Sequence, residues 1–338
     1  MFTPVETSIG ALLLHQATSS LLYQNGNILG ASGSLRQLFS APTRETMGFF
    51  AGMAASYFPL KALAPQLITS YPSVPITLQV ALFTVGVGLL VGWGTKTSNG
   101  CTSGHMLCGL SRLSGRSAIA VATFFPVALI THHLVHPTLY TEACPGDLPC
   151  YKPIYPSTTT TASLILLAAM SVLAARTVPK LIASITTPQA SDKKLPHDTR
   201  SIARSATQFF SGLLFALGLH ISQMSHPAKV ASFFSFPSLQ HWDPSLALVI
   251  LLGVLPNLIE IQRKGFKTPP SFADKFSLPT KTLKDVDVKF VAGAAAFGVG
   301  WGLTGTCPGP AVLRAFAQPV WGSLWMTGFW VGGRLGDL

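Results

Sequence analysis

The chain has 338 residues, of which 48% are hydrophobic and 10% are charged, and its mean hydropathy is +0.44. An average soluble domain carries roughly 25% charged residues, so this composition belongs in a lipid bilayer. A net charge of +11 would point a soluble protein towards nucleic acid, but the Lys and Arg gather in a few loops and form no basic helix with interleaved aromatics, so no nucleic-acid partner is expected. No basic segment precedes the first apolar stretch, and a cleaved signal peptide is not expected either.

In chain order, residues 8–24 form a weak first span carrying His15 and several hydroxyls. Residues 25–40, centred on Gly30-Ala31-Ser32-Gly33, are too few to cross about 30 Å of hydrocarbon and read as a short re-entrant insert. Spans two and three cover 47–67 and 76–94; Gly48 with Gly52, and Gly88 with Gly92, have the spacing that lets helices approach closely. Span four, 117–135, ends in His132, His133 and His136, which read as interfacial residues with no metal site expected. A polar loop with Cys144 and Cys150 precedes span five, 160–178. A basic linker containing Lys193, Lys194 and Arg200 precedes span six, 206–224. A second short insert, 225–236, comes before span seven, 246–261, whose Glu260 is the acidic residue inside a predicted span. After another basic loop come span eight, 290–303, and span nine, 320–333.

Two stretches stand apart. Gly92–Arg116 and Gly300–Arg314 each open with Gly-Trp-Gly, break into small polar residues, present one cysteine (Cys101, Cys307) and return to apolar sequence. A hairpin of this kind reads as a re-entrant loop, tolerated at membrane depth only where protein or a water-filled path covers its backbone. Each cysteine precedes a short helix, and helix N-termini offer free N–H groups and partial positive charge to an anion.

The order span, short insert, span, span, cysteine loop, span occurs twice, with one extra span between. An odd connector starts the second copy on the opposite face, which predicts an all-α polytopic bundle of two inverted repeats with a site between them. The first repeat is residues 1–137, with loops at 25–40 and 95–113; residues 138–204 hold the outer loop, connecting span and basic inner linker; the second repeat is 205–338, with loops at 225–236 and 304–316. With the N-terminus outside and the C-terminus cytoplasmic, about 19 of the 23 Lys and Arg fall on the inner face. A plasma-membrane location is expected. Cys144 and Cys150 then lie outside, where a disulfide would close a short loop. Cys108 reads as a packing residue. Arg314 would either attract an anion at the outer mouth or anchor to headgroups. With no acid pair, phosphate loop or zinc-type spacing, the chain is read as a non-enzyme without cofactor.

Asn99-Gly100-Cys101-Thr102-Ser103-Gly104-His105, residues 297–310 (FGVGWGLTGTCPGP), Gly30-Ala31-Ser32-Gly33, and Ile221-Ser222-Gln223-Met224 with Pro227-Ala228-Lys229-Val230 together resemble the YeeE/YedE sulfur-transport family. The resemblance implies an hourglass-like helical bundle in which loop helices from both faces meet at a constriction and thiols pass an inorganic sulfur species, such as thiosulfate, across the membrane. By position it makes Cys101 and Cys307 the path thiols, flanked by Gly100 and Thr102 on one loop and Gly305 and Thr306 on the other. Thiosulfate importers of that family carry a further cysteine in the first loop, where this chain has Ala31-Ser32; Ser32 would donate one hydrogen bond to an anion there, and Ser222 likewise from the second half. The family also has half-size members, and the two halves resemble two such units fused; a soluble sulfur-carrier protein is a partner that bacterial relatives imply. Two other readings stay open: a membrane-embedded sulfurtransferase or thiol oxidoreductase forming a persulfide on Cys101 or Cys307, and a structural membrane protein whose Gly loops merely pack.

Overall fold

In lipid, an apolar run satisfies its own N–H and C=O groups only as a helix or a closed barrel, and this sequence takes the helical solution. The computed structural model describes residues 1–73, 75–135, 144, 148–186 and 197–337; among these there is no strand, only isolated bridges between Phe2 and Pro153 and between Asn27 and Ser277. His136, Lys193 and Lys194 lie outside the described residues.

The first half comprises α1 (Pro4–Ser20), extended by a π-helical turn over Leu21–Asn25, then the short α2 (Ala31–Ser40), α3 (Arg44–Ala55), α4 (Tyr57–Leu63), α5 (Leu78–Thr97), a π-helical segment Thr102–Gly109, and α6 (Gly115–Val135). After α7 (Thr158–Thr186), the second half repeats the order: α8 (His197–Ile221), the short α9 (Pro227–Phe234), α10 (Ser245–Lys264), α11 (Val288–Thr304), α12 (Pro308–Ala317) and α13 (Pro319–Leu335). Both short inserts of the sequence are helices, too brief to cross.

Five helices, α5, α6, α10 and the 158–185 and 200–221 parts of α7 and α8, are long and apolar enough to span a membrane; α11 and α12, bent by 41° at their junction, make a sixth if counted as one broken span. The nine predicted spans therefore include some that fall short by this measure. Helices α1 and α13 have 17 residues each, about 25 Å at 1.5 Å per residue. The second predicted span breaks between α3 and α4. Pro59 lies in the first turn of α4 and has no N–H to give to Ala55, while the Ser56 hydroxyl donates to Met53 O at 2.7 Å.

Packing relates the halves. Helix α8 packs on α3 as α1 packs on α10; α5 packs on α13 as α6 packs on α11; and α1 with α8, like α5 with α11, crosses its own counterpart. Glycines permit these approaches. A Cβ at Gly10 on α1 would meet the Gly218 carbonyl of α8 at 2.6 Å, and one at Gly94 on α5 would meet the Gly293 carbonyl of α11 at the same distance. The interface glycines of the sequence, Gly52 and Gly92, lie against Phe209 and Phe329. Exchanging the halves thus leaves the main helix pairings unchanged, and the Thr102–Gly109 segment and α12 occupy matching places.

Candidate functional site

Each cysteine stands at the N-cap of its loop helix, in extended backbone: Cys101 at φ −127° and ψ −164°, Cys307 at φ −104° and ψ 171°. Two residues earlier the chain turns through the left-handed region, at Asn99 (φ 58°) and at Gly305 (φ 62°), a conformation open to Gly and, among other residues, best to Asn. Gly305 is also required by space, since a Cβ there would strike the carbonyl of Pro227. The cysteine carbonyls accept the first helical bonds, from His105 N at 2.9 Å and Ala311 N at 3.0 Å. The two Gly-Trp-Gly stretches therefore build the same device, a left-handed turn that ends a helix and a cysteine that begins the next.

The two devices meet. Thr102 Oγ1 donates to Cys307 Sγ at 3.5 Å, and both cysteines line one cavity of about 60 Å³. By volume it has room for a few water-sized groups. Cys101, Thr102 and Ser103 of the first loop line it together with Gly305, Cys307 and Gly309 of the second, and with Leu14, Phe215, Val249 and Trp301; among the described residues no charged side chain lines it. Trp301 is fixed by aromatic contacts, stacked on Phe297 at 6.0 Å and edge-on to Phe234 at 4.8 Å. Cys101 is 1% exposed.

Ser103 is a participant that the sequence did not single out. Its oxygen accepts the Ala31 N–H of α2 at 3.0 Å and lies 3.3 Å from Cys101 Sγ, so one hydroxyl ties the thiol to the start of the first short helix. His105 braces the turn from beneath, with Nε2 3.0 Å from Ser98 O and Nδ1 3.1 Å from Ser117 Oγ.

The remaining sequence candidates divide. Gly305 and Thr102 are at the cavity, while Ser32 and Gly100 line a separate chamber on the other side of the Cys101 turn. Ser222 reaches neither: its hydroxyl donates to Gly218 O at 2.6 Å within α8. Thr306 is buried and donates to Thr304 O at 3.1 Å. Cys108 is enclosed and donates to Leu29 O at 3.4 Å. Arg314 packs its guanidinium 4.0 Å from the Trp321 ring centre and donates to Gln318. His132 and His133 reach Ser235 Oγ and Phe236 O, at 3.3 and 2.8 Å. Glu260 accepts from Ser19 at 2.6 Å and from Lys264 at 2.5 Å. Cys144 and Cys150 are joined in a disulfide. No three His, Cys, Asp or Glu side chains converge as a metal site among the described residues.

Residues 39–129 match the family described as sulphur transport, and residues 205–334 match a family of unknown function, DUF6691. A probable transporter of Xylella fastidiosa strain Temecula1 is 42% identical over 114 residues, which are 33% of this chain and 74% of the relative. The chain belongs to the sulphur transport family. A probable transporter of strain 9a5c is 44% identical over 104 residues, 30% of this chain and 68% of the relative. A second protein of Temecula1 with that description is 35% identical over 128 residues, 36% of this chain and 88% of the relative. A third of this sulphur-transport chain thus covers most of such a relative, and its two family matches do not overlap. With its apolar helices, the chain is a multi-pass integral membrane transporter.

Proposed function

We propose that the protein is a permease for thiosulfate or a related small sulfur anion, which crosses between Cys101 and Cys307. The observation that carries this reading is the Thr102–Cys307 hydrogen bond, which joins the tips of the two loops beside a cavity that both thiols line. Thiosulfate is a large, soft, weakly hydrated dianion. A cysteine S–H is a weak donor that holds it without trapping it, and conduction needs sites favourable enough to enter and weak enough to leave. A full positive charge in the cavity wall would retain a dianion, and among the described residues that wall has none; the N-termini of the Thr102–Gly109 segment and of α12 supply partial charge instead.

The exchangeable packing of the halves and the single connecting helix α7 support two inverted repeats, with Cys101 approached from the cytoplasmic face and Cys307 from outside. The distribution of Lys and Arg supports a cytoplasmic C-terminus, in a plasma membrane, with the Cys144–Cys150 loop outside. A soluble sulfur-carrier protein would take the anion on the inner side.

Cells that depend on this protein for growth on thiosulfate test the proposal. With Cys307→Ala, growth on thiosulfate should cease while growth on cysteine continues. Undiminished growth would refute it, and a persulfide trapped on Cys101 or Cys307 during turnover would favour sulfur transfer instead.

A further inference from the structure

The Cys101 turn has two faces. Thr102 and Ser103 border the thiol cavity, whereas Asn99, Gly100 and His105 wall a chamber of about 220 Å³. Arg36, Arg112, Arg116 and Lys281 line that chamber, and among the described residues no Asp or Glu does. Two of the cations are fixed: Arg36 Nη1 donates to Thr95 Oγ1 at 3.1 Å, and Arg112 Nε donates to Cys108 O at 2.8 Å. Arg116 is 6% exposed and its guanidinium carbon lies 4.2 Å from the Phe290 ring centre, yet its buried Nε has no hydrogen-bond partner among the described residues. An enclosed guanidinium donor left unpaired is costly, and the side chain that carries it lines the chamber. Asp285 and Asp287 lie near enough to attract the Arg116 charge but give it no hydrogen bond; they accept from Thr282 N and Phe290 N, both at 2.7 Å. Gly30, Ser32 and Gly33 bring the N-terminus of α2 to the same chamber, adding free N–H groups and partial positive charge.

The matching place in the second half differs in charge. There, Gln223, His226 and Lys229 at the start of α9 line a chamber of about 440 Å³. Its Lys229 donates to Thr3 Oγ1 at 2.6 Å and to Met1 O at 3.2 Å, and lies 3.8 Å from the Asp243 carboxylate. One frame therefore carries a neutralised vestibule on one face and a strongly cationic one on the other.

We propose that the Arg116 chamber is a binding site for a small divalent oxyanion, with the Arg116, Arg112 and Arg36 guanidinium groups and the α2 N-terminus as its donors. Only its place in the sequence of events, as the site that receives the anion after the thiols, rests on the permease reading. Equilibrium binding of radiolabelled thiosulfate to the purified full-length protein in phosphate-free detergent, at fixed ionic strength, tests it. Arg116→Gln should weaken binding about tenfold or more, the scale of a charge-assisted hydrogen bond. Arg116→Lys should restore part of the loss, and Lys281→Ala, a change at an exposed position, should weaken binding several-fold. Inorganic sulfate should compete, whereas added anionic lipid should not; displacement by lipid would make this a headgroup site and overturn the proposal. Wild-type affinity in both Arg116→Gln and Lys281→Ala would overturn the chamber and leave the thiol path untouched. Should Arg116→Gln fail to fold, Lys281→Ala and sulfate competition decide.

Discussion

At the residue scale, the site rests on two thiols and the hydroxyls that hold them. Ser103 connects Cys101 to the first residue of α2, and removing one such bond costs about 0.5–1.5 kcal/mol. Ser103→Ala should therefore lower thiosulfate flux several-fold without unfolding the protein, measured as initial rates at matched protein levels; an unchanged rate would leave Ser103 a packing residue. The cysteines stood out because each interrupts an apolar run with Gly and small polar residues, joined at Cys307 by Pro308 and Pro310, a pattern that lipid-facing helices do not tolerate. Ser103 was not, since one hydroxyl in a loop of small polar residues looks like any other until Ala31 is brought to it. Ser222 misled for the opposite reason: near the end of a helix in apolar surroundings a serine hydroxyl takes the carbonyl four residues back, and Gly218 is there to accept it.

At the element scale, close helix crossings position the loops. The glycine spacing on α3 and α5 was readable as packing, and each glycine does meet a partner backbone. The identity of that partner was not readable, because it depends on a fold in which α3 reaches α8 and α5 reaches α13. A Cβ at Gly52 would collide with the Phe209 carbonyl, whereas one at Gly86, on α5, would meet nothing within 4 Å. Gly52→Ala should therefore lower the midpoint of thermal unfolding in detergent, by an overpacking penalty of about 1–3 kcal/mol, while Gly86→Ala leaves it in place. Equal midpoints would mean that the α3–α8 crossing is looser than described. The break of the second span at Ser56 escaped the sequence reading because hydropathy counts Pro59 among its neighbours and ignores the hydrogen bond it cannot make.

For the whole molecule, the repetition of six elements on either side of α7, with α3 and α4 taken as one broken span, was visible as a repeated order of spans and inserts, since insert length is read directly from the sequence. The charge difference between the two vestibules was hidden: Arg36, the neighbours Arg112 and Arg116, and Lys281 come from three distant stretches and converge only when α2, the Cys101 loop with the start of α6, and the loop before α11 come together. The proposed orientation places residues 265–287 in the cytoplasm. A cysteine introduced at Lys267, in a background with Cys101, Cys108 and Cys307 replaced by serine, should react with an impermeant maleimide only after the membrane is opened. Labelling of intact cells would invert the topology.

The path itself is tested most directly by radiolabelled thiosulfate flux into proteoliposomes carrying the wild type, Cys101→Ala or Cys307→Ala. If the anion is handed between the two thiols, each single variant should lose about tenfold or more of the flux, as expected when the crossing barrier rises by about 1.4 kcal/mol, and the double variant should fall little further. Wild-type flux through Cys307→Ala would contradict the account.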